Sequence, residues 1–160
     1  MITGAARVAG VIGWPVAHSR SPAIHGCWLD RYGIDGAYVP LAVAPEDLRT
    51  VLKGLTLAGF AGFNLTLPHK ETVMELLDEV SPMARRVGAV NTVVIGPDRR
   101  LIGRNTDVFG FAESLKRVGL SPDSPPARAV VIGAGGAARA VVAALGGLGT
   151  GSVSVLNRTP

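Results

Sequence analysis

The feature that most constrains the fold is a glycine-rich stretch near the carboxyl end, "VVIGAGGAARA". It places Gly133, Gly135 and Ala138 in the G-x-G-x-x-A pattern that joins a strand to a helix in dinucleotide-binding folds. Gly133 permits the tight turn, Gly135 lets the backbone approach a pyrophosphate, and small Ala138 lets the helix pack closely on the strand. Free N–H groups at the helix N-terminus favour that negative charge. The stretch therefore predicts a β–α–β unit that binds a dinucleotide, with a merely structural turn as the alternative.

The residues that follow the next predicted strand indicate which dinucleotide is bound. NAD-binding proteins carry an acidic residue there, about 20 residues beyond the glycines, which bonds the ribose 2′-hydroxyl. This chain has Asn157-Arg158-Thr159 instead. An arginine pairs with a 2′-phosphate, whereas a carboxylate would repel it. We therefore predict NADP rather than NAD, and the alternative is a surface arginine at a turn.

Strand and helix patterns alternate along the rest of the chain, which is typical of an α/β protein. Predicted strands are residues 7–14, 37–43 and 62–67, followed by a hairpin that turns at Pro97-Asp98. The strand at 37–43 should be peripheral, because Pro40 cannot donate a hydrogen bond to a neighbour. Predicted helices are residues 45–57, 71–80 and 107–118. A further helix is expected to be capped by Ser21 and terminated by Gly33. Cys27 lies among the apolar residues of that last helix and is expected to be a buried structural thiol.

The clearest linker is "SPDSPPAR", residues 121–128. We expect an α/β domain with a mainly parallel sheet at residues 1–106, and a connecting helix and linker at 107–127. Residues 128–160 would form the first β–α–β unit of a Rossmann-like NADP-binding domain. Such a half-sheet leaves an edge and an apolar face uncovered. It also makes a homodimer a candidate assembly.

Charge and cysteine content bear on partners and compartment. The net charge is +4, but the basic residues occur as isolated pairs such as Arg85-Arg86 and Arg99-Arg100, without interleaved aromatics. This distribution suits an anionic small substrate better than nucleic acid. The N-terminus has no signal-peptide pattern, and no stretch approaches the length of a membrane span. A single cysteine fits a reducing compartment, so we expect a cytoplasmic protein with no membrane partner.

Polar residues cluster where the predicted strands end. Ser19 and Ser21 lie in a loop before a helix N-terminus, where two hydroxyls could hold a carboxylate; the alternative is that Ser21 only caps its helix. A second group follows later strands: Asn64, Thr66 and Lys70 in "GFNLTLPHK", Asn91 in "GAVNT", and Asn105 and Asp107 in "GRNTD". This set suits a polyhydroxylated ligand that undergoes proton transfer. No metal site is expected, because His18, His25 and His69 lack a mutual ligand spacing.

Six motifs in order, "HSRSP", "NLTLPHK", "GAVNT", "GRNTD", "GAGGAARA" and "NRT", resemble the shikimate dehydrogenase family. These are NADP-dependent oxidoreductases of aromatic amino-acid and chorismate biosynthesis, and the resemblance covers residues 7–159. Val108 departs from the family pattern, which commonly has glycine after "NTD". The resemblance implies reversible reduction of 3-dehydroshikimate to shikimate, with residues 1–106 as the substrate-binding catalytic domain. Because members of the family continue beyond the point that matches Thr159, it also implies that the chain is an N-terminal piece of the enzyme.

The resemblance also implies roles for individual residues. Ser19 and Ser21 would hold the substrate carboxylate, and Lys70 with Asp107 would form the catalytic pair. The ring hydroxyls of the substrate would be bound by Asn64, Thr66, Asn91 and Asp107. The pyrophosphate loop would be Gly133, Ala134, Gly135, Gly136 and Ala137. The adenosine phosphate would be held by Asn157, Arg158 and Thr159. Alternatives are a quinate/shikimate dehydrogenase, a non-catalytic shikimate-binding fragment and, least favoured, a nucleic-acid binder.

Overall fold

A computed structural model describes residues 2–158 and divides the chain into two units. The first unit holds the described residues up to Ser81 together with Val90–Arg104. The second unit holds Pro82–Ala89 and the described residues from Asn105 onward.

A six-stranded sheet forms the first unit. In chain order its strands are β1 (Arg7–Gly13), β2 (Gly36–Ala42), β3 (Gly62–Leu65), β4 (Glu79–Val80), β5 (Thr92–Ile95) and β6 (Leu101–Arg104). The spatial order is β2-β1-β3-β5-β6-β4. The pairs β1–β2, β1–β3 and β4–β6 are parallel, whereas β5 is antiparallel to both of its neighbours. The mainly parallel sheet is thus confirmed, and Pro40 lies on the edge strand β2 as expected.

Three helices accompany this sheet: α1 (Ser21–Arg31), α2 (Leu48–Leu57) and α3 (His69–Thr72). A single 3₁₀ turn, Pro45–Asp47, precedes α2, so the predicted helix over 45–57 is confirmed apart from its first turn. Leu48 and Leu52 are the buried residues of α2, one turn apart on its inner face. Strands β1 and β3 are apolar and central, and Ile12 and Phe63 are buried core residues.

The predicted helix over residues 71–80 is wrong in its second half. After α3 the chain makes a 3₁₀ turn, Val73–Leu76, and Leu77 is already extended. The Asp78 N–H donates to the Leu101 carbonyl, and its carboxylate accepts the Leu101 N–H at 2.7 Å. Val80 then pairs with Gly103 in the parallel β4–β6 ladder. Pairing with a distant strand therefore overrides the local helical pattern.

Two expectations for α1 are wrong. Cys27 is exposed, and no residue of α1 is fully buried. The face turned toward the sheet carries His25 and Leu29, because the His25 ring stacks on Tyr38 of β2; Cys27 falls outside that face. Ser21 is the first residue of the helix rather than its cap, and its N–H donates to Ser19 Oγ at 3.3 Å.

The second unit contains three helices and a two-stranded parallel sheet. Its elements are α4 (Pro82–Val87), α5 (Asp107–Lys116), β7 (Arg128–Ile132), α6 (Gly136–Gly147) and β8 (Ser152–Leu156). The short helix α4 has no counterpart among the sequence predictions. A small apolar cluster joins α4, α5 and α6, with Val87, Val108 and Ala140 buried in it. The predicted β–α–β unit and the helix that begins at Asp107 are therefore confirmed.

Within residues 2–158, no helix combines the length and the apolar character that crossing a membrane requires.

Candidate functional site

Two loops follow the parallel strands β1 and β3 at the same edge of the first unit's sheet. The Thr66 N–H donates to the Ile12 carbonyl and the Trp14 N–H donates to the Leu67 carbonyl, both at 2.9 Å. These bonds hold the start of one loop against the start of the other. A Cβ atom at Gly13 would collide with Cγ2 of Thr66, so only glycine permits this close approach. The carboxyl edge of a parallel sheet is where α/β proteins bind ligands.

Ser19 and Ser21 lie in the loop between β1 and α1. Both side chains are half-buried. The Ser19 N–H donates to the Val16 carbonyl at 2.9 Å, which fixes the loop just before the helix. Burial raises the pKa of Tyr38 on β2, and the neighbouring Ser21 side chain partly offsets that rise. The loop therefore presents two hydroxyls next to the first turn of α1.

Asn64 lies at the centre of a hydrogen-bond network that crosses three strands. Its Oδ1 accepts the hydroxyl proton of Tyr38 on β2 at 2.6 Å. Its Nδ2 donates to the Asn91 carbonyl at 3.2 Å and to Thr92 Oγ1 at 3.0 Å. Thr92 Oγ1 in turn donates to Asn91 Oδ1 at 3.0 Å. The network joins two predicted ligand residues, Asn64 and Asn91, both directly and through Thr92, and it adds Tyr38 as a further partner of Asn64. Sequence reasoning missed both Thr92 and Tyr38.

The missed residues, Tyr38 and Thr92, carried only weak signals in the sequence. Thr92 directly follows Asn91 inside "GAVNT", so the motif contained it without marking its role. Tyr38 sits in an apolar strand, and its partner Asn64 is 26 positions away. Only the parallel arrangement of β2, β1 and β3 brings the two side chains together.

Lys70 lies on α3, close to Asn91 along the backbone. The Lys70 carbonyl accepts the Val90 N–H at 2.7 Å, and the Asn91 carbonyl accepts the Leu65 N–H at 2.9 Å. His69, fully buried, anchors the same turn through a 2.8 Å contact between its Nε2 and the Val43 carbonyl. The Lys70 side chain itself is half-buried. The first unit thus collects six of the predicted site residues: Ser19, Ser21, Asn64, Thr66, Lys70 and Asn91.

Asp107 belongs to the second unit, where it is the first residue of α5. Asn105 fixes this helix start: its Oδ1 accepts the N–H of Asp107 at 3.1 Å and that of Val108 at 3.3 Å. The Asn105 Nδ2 donates to the Ala89 carbonyl at 2.9 Å. Asn105 is itself buried, so the cap orients the backbone at Asp107 firmly.

The glycine-rich turn between β7 and α6 has the geometry that its sequence predicts. Gly133 has a φ of 101°, a region that favours glycine, and its N–H donates to the Leu156 carbonyl at 2.7 Å. Gly135 is the extended residue that precedes α6, and no side chain caps this helix. Gly135, Ala134 and Ala137 are exposed, whereas Gly136 is buried. Exposed backbone at an uncapped helix start, with no acidic residue in the first turn, fits a pyrophosphate.

The residues after β8 complete the predicted cofactor set. Asn157 and Arg158 are exposed and directly follow the strand that pairs with β7. Thr159 lies outside the described residues. The donor set is neutral or cationic, which suits a phosphorylated ribose.

The fold and these residues define an α/β protein with a polar side-chain cluster in one unit and a glycine-rich turn of the dinucleotide-binding type in the other. A sequence model of the shikimate dehydrogenase substrate binding domain matches residues 11–93, just over half of the chain. The chain therefore belongs to the shikimate dehydrogenase family.

Proteins that are similar to this chain are called shikimate dehydrogenases, and they are longer than it. The shikimate dehydrogenase (NADP(+)) of Paramagnetospirillum magneticum is 58% identical, and the alignment covers 99% of this chain and 57% of that protein. The crystal structure of shikimate dehydrogenase from Aquifex aeolicus has a TM-score of 0.92 at 38% identity, covering 99% of this chain and 58% of that one. The structure of shikimate 5-dehydrogenase from Thermus thermophilus, in complex with NADP(H) and shikimate, has a TM-score of 0.86 at 47% identity. That match covers 96% of this chain and 57% of the other. The chain thus spans somewhat more than half the length of the relatives it matches.

Proposed function

We propose that this chain carries the substrate-binding unit and part of the NADP-binding unit of a shikimate dehydrogenase. The reaction is the reversible reduction of 3-dehydroshikimate to shikimate. The observation that carries the proposal is the hydrogen-bonded polar cluster of the first unit, in which Asn64 and Asn91 are held beside Thr66 and Lys70 at the carboxyl edge of the sheet. A family relative was solved with shikimate and NADP(H), which supports the same ligands here.

The side chains of this cluster match a hydroxylated carboxylic acid. Ser19 and Ser21 would donate hydrogen bonds to the carboxylate, assisted by the N-terminal N–H groups of α1. Asn64, Thr66, Asn91 and Asp107 would bind the ring hydroxyls. Hydroxyl and amide groups can both donate and accept, as a polyol requires.

Lys70 and Asp107 would form the catalytic pair. When bound, NADPH supplies the hydride that reaches the carbonyl carbon of the substrate. Negative charge then develops on the carbonyl oxygen, and the Lys70 ammonium stabilises it and donates a proton to it. In this direction of the reaction Lys70 would act as an acid and electrostatic stabiliser, with Asp107 as its partner in the pair.

The second unit would hold NADP. Gly133, Ala134, Gly135, Gly136 and Ala137 would surround the pyrophosphate. Arg158, with Asn157 and Thr159, would bind the 2′-phosphate of the adenosine ribose. The left-handed conformation of Gly133 and the uncapped, exposed start of α6 support this assignment.

The functional division, localisation and assembly also belong to the proposal. Residues 1–106 would act as the substrate-binding catalytic domain, 107–127 as the connection and 128–160 as the first part of the cofactor domain. The single cysteine supports a cytoplasmic location. A homodimer is supported by the apolar face of β7, on which Val130 and Ile132 are 63% and 87% exposed.

Shikimate-dependent formation of NADPH, followed by its absorbance, tests the proposed function. We expect turnover with NADP⁺ and shikimate that exceeds turnover with NAD⁺ or with quinate. A higher rate on quinate would assign the chain to the quinate/shikimate branch instead. Shikimate binding without turnover would identify a non-catalytic binding fragment, and the absence of both would contradict the proposal.

A further inference from the structure

Tyr38 is tied to the polar cluster although no motif includes it. Its hydroxyl donates to Asn64 Oδ1 at 2.6 Å, the shortest link in the network around Asn64. Its ring stacks face to face on His25 of α1, with ring centroids 3.8 Å apart and an interplanar angle of 1°. The ring is thus held from one side while the hydroxyl reaches the site from the edge strand β2.

The network fixes which end of the Asn64 amide points where. A phenol that donates its proton requires an acceptor, and within the amide only Oδ1 qualifies. The two N–H groups of Nδ2 are occupied by the Asn91 carbonyl and Thr92 Oγ1. Rotating the amide by half a turn would set Nδ2 against the Tyr38 hydroxyl and Oδ1 against a carbonyl oxygen. Leaving these half-buried polar groups mismatched in that way is costly, so one orientation prevails.

The Asn64 side chain can therefore accept a hydrogen bond from a ligand but cannot donate one. Oδ1 carries two lone pairs and receives one hydrogen bond from Tyr38, whereas both N–H groups are in use. Burial, offset in part by the nearby Ser21 side chain, raises the pKa of Tyr38 to about 12. The phenol accordingly stays protonated, and remains a donor, across the physiological range.

We propose that Tyr38 and Thr92 are positioning residues that lock the Asn64 amide as a pure hydrogen-bond acceptor, and so make this point of the site selective for a ligand hydroxyl. The selectivity rests on the proposed function, in which Asn64 contacts a ring hydroxyl of shikimate. An ether or ketone at the same place has no proton to donate and is disfavoured. The locked amide itself does not depend on the identity of the ligand.

The lock is tested without ligand by Tyr38→Phe, which keeps the aromatic ring and its stack on His25 but removes the donor. We expect the side-chain N–H protons of Asn64, assigned by heteronuclear NMR, to exchange with solvent ~3- to 10-fold faster in this variant. Thr92→Val should have a similar effect, and Thr92→Ser, which keeps the hydroxyl, should restore slow exchange. Tyr32→Phe is the matched control, because Tyr32 is 69% exposed and lies outside the network. Unchanged exchange in Tyr38→Phe would overturn the proposal.

The selectivity is tested by calorimetry with shikimate and its ring O-methyl ethers. We expect Tyr38→Phe to bind shikimate ~3- to 10-fold more weakly and to discriminate less against one of the ethers, because a freed amide can turn its N–H toward an ether oxygen. A merely structural role would weaken all of these ligands alike. If the wild-type chain binds shikimate and Tyr38→Phe binds each ligand as tightly as the wild-type chain does, the proposal fails while the proposed function stands. If the wild-type chain does not bind shikimate, the proposed function fails, and the exchange rates alone decide whether the amide is locked.

Discussion

His25 sits between two aromatic rings, and this placement makes the stability of the first unit depend on pH. It stacks on Tyr38 and contacts Trp28 edge-on, with ring centroids 5.1 Å apart. Burial lowers the pKa of His25 below its ordinary value of 6.5. In the window between the lowered pKa and 6.5, the unfolded chain binds a proton that the folded chain does not. The contribution of His25 to the free energy of unfolding is therefore fully present above pH 6.5, and it is lost as the pH falls through that window.

We expect His25→Gln to flatten this dependence. The measurement is the free energy of unfolding by denaturant from about pH 5 to about pH 8. His18→Gln is the control, since His18 lies in an exposed loop position. An equally steep fall in His25→Gln would show that another group is responsible.

Lys70→Ala tests the role of the proposed acid at the scale of one side chain. Because Lys70 would act on charge that develops only in the transition state, we expect kcat to fall by ~10²- to 10⁴-fold while shikimate affinity changes much less. Lys53→Ala, on the exposed face of α2, controls for the loss of one positive charge. Turnover within about tenfold of the parent would contradict the assignment.

At the scale of elements, α5 depends on a cap that lies just outside the helix. Asn105 accepts two N–H groups of the first turn and donates to Ala89. We expect Asn105→Ala to lower the free energy of unfolding by about 1–2 kcal/mol. Asn105→Asp keeps the acceptor and removes only the donor, so it should lose less. Equal losses in both variants would place the contribution in the bond to Ala89 rather than in the cap.

The elements also show what the sequence could and could not predict. Strands β1, β3 and β7 were predictable because each is a compact apolar run bounded by turn residues. The segment after α3 was not, since β4 exists only through its pairing with β6, more than twenty residues away. The exposure of Cys27 was missed for a related reason: apolar spacing finds a helix but not its rotation, which the His25–Tyr38 stack sets.

The whole molecule divides its predicted site residues between two units. Ser19, Asn64 and Lys70 belong to the first, and Asp107 and the glycine-rich turn belong to the second. The identity of these residues was accessible from their order along the chain, because each motif is local. The hydrogen bonds that orient them were not, since Tyr38 and Asn64 meet only in the folded sheet.

The most direct test of the central claim is calorimetric titration of the chain with shikimate. We expect saturable binding at one site per chain, weakened about tenfold or more by Asn64→Ala and by Ser21→Ala. Tyr32→Phe should bind as the parent does. No saturable heat, or binding that neither Asn64→Ala nor Ser21→Ala alters, would contradict the claim that this polar cluster is the substrate site.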